Sequence, residues 1–494
     1  MSYSTLEKPR VAGRGRVLGV MCAGMFLVLL DVTIVNVALP SIGHGLRSGV
    51  AMLQWVVDGY VVAIAGLLLA GGTVGDRIGH RRVLLIGFAV FGVASLLCAT
   101  APSVEVLIGA RVVQGIGGAL LLPSTMAVIV EVYPGRGEQA KALGTWAAVS
   151  SLALPAGPLL GGLLVDALGW RPVFWINVPL IVLAIAATLR VVPDRPGAGG
   201  RRLDLPGLLG FVAGLGGLVF TVIAAGHRSG AATVLVPAVV TVIALAVALS
   251  GAAHSRDPIL PLDLLRRKDF LSPNLVALTM NLIFNGVLFV AMLYLQDVRH
   301  WSPLTAGVAV LPMAVPLIVL APVSGRITAR CGPRTAIALG CAVAAAGSLL
   351  LTGLRADGGI GWLLAAILLI GCGGGLITAS AVAAVVRATP ADRSGLATGT
   401  SNTARQIGTA CGVAIFGAVA GSPAGDGFVD GIHLLAVLAA VAWVGALALT
   451  GFGIAGRTPP GRRNPGDDTK PHYRPQTGWG DTLFERSSED GRKW

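Results

Sequence analysis

The chain has 494 residues, of which 54% are hydrophobic and only 12% are charged, and its formal net charge is +13. So few charges exclude a water-soluble globular protein, because such a protein would expose large apolar patches to water. The sequence has no Gly-Lys dipeptide and therefore no P-loop for ATP, and no arrangement of catalytic residues stands out. We therefore expect neither an enzyme nor a protein driven by ATP through that motif.

Fourteen apolar stretches, each near 20 residues long, follow one another along the chain. A run of that length spans the hydrocarbon core of a bilayer as a helix, since lipid offers the backbone no other hydrogen-bond partners. The sequence thus predicts an all-α, polytopic membrane protein with 14 transmembrane helices. The predicted spans are residues 17–39, 52–73, 83–101, 105–131, 142–165, 173–192, 206–226, 232–252, 273–296, 304–323, 335–354, 361–386, 396–420 and 432–455.

The positive charge is concentrated on one predicted side of the membrane. Of the 37 Lys and Arg, 30 lie in the two terminal segments or in loops on the same side, and two lie within spans. Because Lys and Arg accumulate in cytoplasmic loops, both termini are expected in the cytoplasm, and the charge indicates topology and anionic lipid rather than nucleic acid. The remaining five lie in loops on the opposite side, namely Arg47, Arg171, Arg228, Arg299 and Arg355.

Arg outnumbers Lys 32 to 5, which favours a high-GC bacterium and hence its plasma membrane.

Two motifs recur at nearly one spacing. The pattern at Gly72–Arg81 returns 253 residues later, and the pattern at Gly115–Ser124 returns 256 residues later. The repeat predicts two parallel halves of six spans with a cleft between them. The expected organisation is a cytoplasmic N-terminus (1–16), a first six-helix bundle (17–192), a linker with an inserted two-helix hairpin (193–271), a second six-helix bundle (272–455) and a disordered cytoplasmic tail (456–494).

Asp31 lies near the middle of the first span, in the sequence LDVTIVNVALP. An ionised carboxylate is costly there unless it is paired or hydrated, so it is a functional candidate. Arg111 in the fourth span is its natural partner, on one helix face with Gln114. We expect Asp31, Arg111 and the intramembrane Asp58 to carry proton coupling, with protonation of Asp31 releasing Arg111. The alternative is a structural ion pair between helices.

The sequence GTVGDRIGHRR forms the predicted loop between the second and third spans. Asp76 can meet the partly positive N-terminus of a helix, and such a contact across the two halves would latch one conformation. In the second copy of the motif Asp76 corresponds to Ala329, so the latch would be one-sided. The alternative is a loop held inside by its charges alone. The predicted latch residues are Gly72, Asp76, Arg77, Gly79 and Arg81.

The fifth span contains ALPAGPLLGG. Pro155 and Pro158 remove helix hydrogen bonds and bend the span, and its glycines permit close packing. By themselves these residues favour no more than a kinked packing helix. The glycines are Gly157, Gly161 and Gly162.

Polar side chains recur at helical spacing in several other spans. Each set faces either a wet cavity or a hydrogen-bond partner on a neighbouring helix, and the sequence leaves both possibilities open. The candidates for lining a substrate cavity are Asn36, Gln54, Gln114, Asn281, Asn285, Asn402, Arg405 and Gln406.

Together these motifs resemble the major facilitator superfamily, and more narrowly its fourteen-span drug:proton antiporter branch. LDVTIVNVALP is similar to the branch's first-span motif, GTVGDRIGHRR to the loop motif, RVVQGIGG to the fourth-span motif and ALPAGPLLGG to the antiporter motif. Departures include Ala153 in place of the first Gly of the antiporter motif. The resemblance covers about residues 17–455. It implies alternating access, efflux driven by proton entry, and a conformational hinge at Pro155, Gly157, Pro158, Gly161 and Gly162.

We therefore expect a proton-coupled antiporter that exports drugs, antibiotics or hydrophobic natural products. Its expected partners are a hydrophobic small molecule, protons and the lipid bilayer, with no nucleic acid, no metal and no cofactor besides the coupling proton. It is expected to be monomeric. The alternatives are a proton-coupled uptake symporter or facilitator of a small metabolite, against which the antiporter motif argues, and a membrane sensor, which would need a folded cytoplasmic output domain.

Overall fold

The computed structural model describes residues 13–197, 204–226, 230–255, 262–355, 358–389, 394–425 and 427–454. Every secondary-structure element within these residues is helical. They all belong to one unit of the chain, and the second unit, Thr458–Trp494, lies outside them. The predicted tail and most of the predicted N-terminal segment therefore lie outside the described residues.

The helices of the described residues follow the fourteen predicted spans, and we number them accordingly. Five of them are interrupted or change helix type along their length. They are α1 (Arg14–Leu46), α2 (Val50–Ile78), α3 (His80–Ala99), α4 (Val104–Val132), α5 (Arg136–Ser151 and Ala153–Leu168), α6 (Pro172–Trp175 and Asn177–Val191), α7 (Leu205–Gly226), α8 (Ala231–His254), α9 (Lys268–Leu293 with the π-helical turn Tyr294–Val298), α10 (Pro303–Ala309, Leu311–Val319 and Ala321–Cys331), α11 (Pro333–Leu350 with the 3₁₀ turn Leu351–Gly353), α12 (Gly361–Arg387), α13 (Ser394–Ala420) and α14 (Phe428–Gly453). The one-turn helix Leu262–Leu265 precedes α9.

Thirteen helices in the described ranges are long and apolar enough to cross a membrane. The remaining one, α13, is 27 residues long. Its first half carries Asn402, Arg405 and Gln406, which lower its hydropathy without shortening it. The predicted all-α membrane fold is therefore confirmed.

Prolines set the breaks within α5 and α10. The first part of α5 ends at Ser151, four residues before Pro155, whose ring would clash with that carbonyl in a continuous helix. Each of the three segments of α10 carries a proline in its first turn, where the missing N–H costs nothing. Both helices are thus built from short segments, and they face each other across the two halves.

The repeat predicted from the sequence is visible in the backbone. Gly79 separates α2 from α3 with a φ of 95°, and Gly332 separates α10 from α11 with a φ of 85°. Side-chain-bearing residues rarely adopt this region, so glycine is required at both turns. The turn between the second and third helices of each half therefore has a similar backbone conformation.

Glycines also bring equivalent helix pairs close together in each half. A Cβ added at Gly117 in α4 would lie 2.9 Å from the carbonyl oxygen of Gly87 in α3. A Cβ added at Gly373 in α12 would lie 2.5 Å from the carbonyl oxygen of Gly340 in α11. Small residues at such crossings allow the helix backbones to touch.

The inserted hairpin α7–α8 packs beside the junction of the two halves. α7 contacts α2 of the first half and α13 of the second, with the rings of Trp55 and Phe220 6.0 Å apart. α8 packs on α7 and leaves much of its apolar surface exposed, including Val236 and Val242. That surface suits contact with lipid.

Candidate functional site

Asp31 and Arg111 lie inside the first half, and both side chains are fully buried. Nη1 of Arg111 in α4 donates a hydrogen bond to Oδ2 of Asp31 in α1, so the two groups form an ion pair between membrane helices. Nε of Arg111 donates to the carbonyl oxygen of Val56 in α2, at 2.9 Å. The pair therefore ties three helices together in an interior where an unpaired charge would be strongly unfavourable.

Neutral polar side chains complete the coordination of this carboxylate. Nε2 of Gln114 donates to Oδ1 of Asp31 and to Oγ of Ser95, both at 2.9 Å, while its Oε1 accepts from Arg111 at 2.7 Å. Nδ2 of Asn177, in α6, also donates to Oδ1 of Asp31, at 3.2 Å. Gln114, predicted as a cavity residue, is instead fully buried in this network. Asn177 and Ser95 were not predicted, and the only available signal was a lone polar residue in an apolar span.

Aromatic rings enclose the guanidinium group of Arg111. Its central carbon lies 4.1 Å from the centre of the Tyr60 ring and 5.9 Å from that of Phe174. The hydroxyl of Tyr60 donates to the carbonyl oxygen of Val28 at 3.0 Å, which fixes the ring. Rings at these distances stabilise a cation away from water.

Asp58 is a second fully buried carboxyl group, in a very different environment. Both of its oxygens lack a hydrogen-bond partner among the described residues. One turn away on α2, Nε2 of Gln54 donates to the carbonyl oxygens of Val413 and Ala414 in α13, at 3.0 and 2.8 Å. Asp58 and Gln54 therefore lie at the junction of the two halves. Gln54 is fully buried there rather than lining an open cavity, because α13 covers it.

The glycines of the α5 motif face two different neighbours. Gly157 and Gly161 lie against α1, where a Cβ at Gly157 would overlap the side chain of Thr33. The hydroxyl of Thr33 donates to the carbonyl oxygen of Ala153 at 3.1 Å. Thr33 is two residues from Asp31, so α5 packs directly beside the buried ion pair.

The other face of the motif meets the second half. A Cβ at Gly162 would lie 2.7 Å from Cα of Leu304 and 2.8 Å from the carbonyl oxygen of Pro303, both in α10. Gly307 of α10 packs equally tightly on the carbonyl group of Pro158. The motif therefore joins α1 of one half to α10 of the other.

Further contacts join the halves at the same end of the bundle. Nε2 of Gln296 in α9 donates to the carbonyl oxygen of Val37 in α1 at 2.9 Å. Nε2 of His44 at the end of α1 lies 3.1 Å from Oδ1 of Asp297. The charge distribution predicts that this end faces the outside of the cell, so we call it the outer end. In this conformation the outer ends of the two halves are in contact.

The predicted latch residues lie around the turn between α2 and α3. Asp76 pairs with His80 on its own half, with Oδ1 and Nε2 3.5 Å apart. Arg81 donates to the carbonyl oxygen of Leu189 in α6 at 2.8 Å. Gly79 provides the turn, and Gly72 and Arg77 lie in the last turns of α2. Among the described residues Asp76 thus has its ion-pair partner within its own half. The latch stays a prediction for another conformation.

The remaining cavity candidates divide between the halves. Asn36 in α1 is buried and donates to the carbonyl oxygen of Val32 at 2.7 Å, so it does not line a cavity here. Asn285 is also buried and bonds to Thr409 across α9 and α13. Four others are only partly buried, namely Asn281, Asn402, Arg405 and Gln406.

Comparison with known proteins agrees with this architecture. The model of the family described as Major Facilitator Superfamily matches residues 21–413. This chain belongs to the major facilitator superfamily. It is therefore a multi-pass membrane transporter and not an enzyme.

Several major facilitator proteins are similar in sequence over most of their length. "Multidrug resistance protein Stp" of Mycobacterium tuberculosis is 34% identical over 403 residues, covering 80% of this chain and 74% of Stp. "Methylenomycin A resistance protein" of Streptomyces coelicolor is 34% identical, covering 81% and 84%. "Puromycin resistance protein pur8" of Streptomyces alboniger is 36% identical, covering 81% of each chain.

Solved major facilitator structures share the fold at much lower identity. The human organic anion transporter MFSD10 superposes with a TM-score of 0.61 at 15% identity, covering 89% of this chain and all of its own. A bacterial homologue of the human drug peptide transporters PepT1 and PepT2 gives the same TM-score, identity and coverage of this chain. At this identity the likeness supports the fold alone.

Proposed function

We propose that this protein exports small lipophilic molecules, such as drugs or antibiotics, in exchange for protons. One observation carries the proposal. The carboxylate of Asp31 is sealed inside the first half by Arg111, and its helix packs on the α5 motif that contacts the second half. A change of protonation at one buried group is thereby connected to the junction that must open and close.

The first step is protonation of Asp31 from the outside when the outer ends are apart. A neutral carboxyl group no longer attracts Arg111, so the link between α1 and α4 weakens. Arg111 keeps the Val56 carbonyl group and the Tyr60 ring as neighbours. The guanidinium is therefore not left without partners while the pair is open.

The second step passes from α1 to α5. Thr33 and Ile34 fill the surface of the motif at Gly157 and Gly161, without space for a side chain between the helices. A shift of α1 therefore moves α5, whose opposite face contacts α10. The break in α5 at Leu152 lets its outer part move as a short segment.

Asp58 is the second proton-carrying group of the proposal. It lies at the α2–α13 junction with no partner for either oxygen among the described residues. An intramembrane carboxyl group without a counter-charge is a candidate for proton exchange. Separation of α2 from α13 would expose it to water, whereas the contact in this conformation encloses it.

The energy available is sufficient for useful export. One proton entering the cell down an inside-negative potential of about 100 mV releases about 2.3 kcal/mol. Since about 1.4 kcal/mol corresponds to a tenfold ratio, this supports roughly 50-fold accumulation. The protein would act as a monomer in the plasma membrane, with both termini cytoplasmic and the proton as the only coupling partner. Relatives named as drug and antibiotic resistance proteins support this reading.

The test is Asp31→Asn in proteoliposomes with a pH-sensitive dye inside. We expect this variant to lose substrate-dependent proton flux and at least about tenfold of the accumulation ratio, since an amide does not exchange a proton. Asp166→Asn is the matched control, because Asp166 on α5 is exposed. It should transport like the unmodified protein.

Two outcomes contradict the proposal. One is proton flux that survives in Asp31→Asn at the rate of the Asp166→Asn control. The other is substrate moving into cells together with protons, which would favour the uptake symporter instead.

A further inference from the structure

Arg405 in α13 is the second arginine within the spans, and its surroundings are the reverse of those of Arg111. Its side chain is partly buried. Within the described part of the chain its guanidinium group has no ion pair and no hydrogen bond. Arg111, in contrast, has an aspartate, a glutamine and a carbonyl oxygen as partners. The second half therefore presents an uncompensated positive charge.

The position of Arg405 follows from the packing of α9 and α13. Asn285 donates to Thr409 at 3.1 Å, which fixes the register of the two helices. Both helices run from the predicted cytoplasmic side outward, so Asn281 and Arg405 each lie one turn towards that side from this bonded pair. Asn281 and Arg405 are both partly exposed, whereas Asn285 is buried. The polar strip therefore becomes accessible on the cytoplasmic side of the Asn285–Thr409 bond.

Two more polar side chains continue this strip along α13. Asn402 lies one turn before Arg405, and Gln406 follows it. Both are partly exposed. The face carrying them lies between the α9 contact at Gly408 and the α2 contact at Val413, and thus points to the space between the halves.

Within the described residues, neither of the two intramembrane aspartates is a partner of Arg405. Asp31 is held by Arg111 in the first half. Asp58 lies further outward, on the α2 side of α13 near Cys411. A lone cation in the membrane is unfavourable unless water or an opposite charge reaches it. In an open cleft water can supply this, and an anionic ligand would do so more strongly.

We propose that Arg405 binds an anionic group of the transported molecule, a carboxylate, phenolate or enolate, with the amides of Asn281 and Gln406 as neighbouring donors. The exporter then prefers lipophilic weak acids over lipophilic cations. This inference rests on the proposed export function. Arginine suits the role because its planar fork of N–H donors matches a carboxylate in two hydrogen bonds.

The charge balance of such a cycle is consistent and testable. An inside-negative potential drives a proton inward and drives an anion outward, so both movements of the cycle are favoured. Exchange of one proton for a monovalent cation moves no net charge. Export of an acid should therefore respond to the membrane potential at a fixed pH gradient, and export of a cation should not.

The experiment measures binding to the purified full-length protein at neutral pH and proton-driven transport in proteoliposomes. The probes are nalidixate and novobiocin, which are weak acids, and ethidium, which is a cation. We expect tighter binding of at least one acid than of ethidium. Arg405→Gln should weaken acid binding about tenfold or more and leave ethidium binding unchanged.

Two further variants control for folding and for surface charge. Arg405→Lys keeps the positive charge but lacks the planar set of N–H donors, and should retain part of the acid affinity. If Arg405→Gln fails to fold, a selective loss of acid affinity in Arg405→Lys tests the role of Arg405 instead. Arg190→Gln removes an exposed arginine of α6 and should bind both classes like the unmodified protein.

The outcomes separate this inference from the export function. Proton-driven export of ethidium without binding of either acid overturns the preference and leaves export standing. Equal loss of acid and cation binding in Arg405→Gln also overturns it. Arg405-dependent acid binding with no proton-driven transport of any probe supports the binding site and overturns the proposed function.

Discussion

The two halves of the molecule share a scaffold but differ in the chemistry of their interiors. In the first half, α4 carries Arg111 and Gln114 in a fully buried charged network. The positions 256 residues later in α12 are Ile367 and Ile370, which are buried among apolar side chains. The repeat therefore preserves the glycine crossings while only one copy holds an ion pair.

This asymmetry indicates that the two halves have different roles. A buried ion pair can be switched by one proton, whereas a buried isoleucine cannot. The polar residues of the second half lie instead at the surface of the cleft, where Arg405 and Asn281 are partly exposed. We infer that the first half responds to protons and the second contacts the transported molecule.

Removing one partner of the ion pair should have the largest effect on the difference between the halves. Arg111→Met leaves the Asp31 carboxylate buried without its counter-charge, and should destabilise the protein by about 3–5 kcal/mol. Ile367→Met is the matched change in the second half, and a swap of similar volume costs less than about 1.5 kcal/mol. Thermal unfolding in detergent measures both.

The double variant Asp31→Asn with Arg111→Met tests whether the loss of stability comes from the unpaired charge. With both charges removed, most of the stability should return, because the penalty arises from the unpaired group. Proton flux should remain absent. If Arg111→Met unfolds at the same temperature as Ile367→Met, the ion pair does not distinguish the halves.

The junction between the halves gives the next largest effect. Gly162→Ala places a methyl group against the backbone of Leu304, so α5 and α10 must separate, at about 1–3 kcal/mol. The population should shift towards a form with the outer ends apart. Gly144→Ala in the same helix meets nothing within 4 Å and is the control.

Labelling of a cysteine at the outer end of α2 reports this shift. Leu53 is 4% exposed and lines the cleft between the outer ends, so Leu53→Cys should react slowly with a membrane-impermeant maleimide. The reaction should be faster in Gly162→Ala than in Gly144→Ala. Equal rates would show that this contact does not hold the outer ends together.

Most of the fold could be predicted from the sequence, because a bilayer imposes a fixed length on each apolar run. The bend in α5 was also predicted, since proline marks it, whereas the breaks within α6 and α10 were not. The position of the α7–α8 hairpin could not be predicted, because apolar periodicity does not say which helices a peripheral pair contacts. Its position beside α2 and α13 depends on shape, as at Gly66 and Val212.

The site could be predicted only where charge marks it. Asp31 and Arg111 stand out because charged groups are rare in membrane spans. Ser95, Asn177 and Tyr60 carry no comparable signal, since neutral polar side chains are common in membrane helices and most only bond to their own backbone. The partners of Gln54 and Asp76 depend on which ends of the halves meet, and sequence does not specify a conformation.

A smaller effect separates two serines at equivalent positions of the repeat. Ser380 in α12 lies 2.7 Å from the hydroxyl groups of Ser324 and Thr328 in α10. Ser124 in α4, 256 residues earlier, has no hydrogen-bond partner among the described residues. Ser380→Ala should cost about 1 kcal/mol of stability, and Ser124→Ala should be neutral or slightly stabilising. Equal shifts of the unfolding temperature would contradict this.

The smallest effect concerns the pair between His44 and Asp297 at the outer ends. The His44 side chain is 80% exposed, so the pair contributes less than about 1 kcal/mol. Asp297→Asn removes the ion pair, so at a fixed external pH it should accelerate labelling of Leu53→Cys only slightly, and less than Gly162→Ala does. An acceleration as large as that in Gly162→Ala would mean that this pair holds the outer ends together as strongly as the helix contacts do.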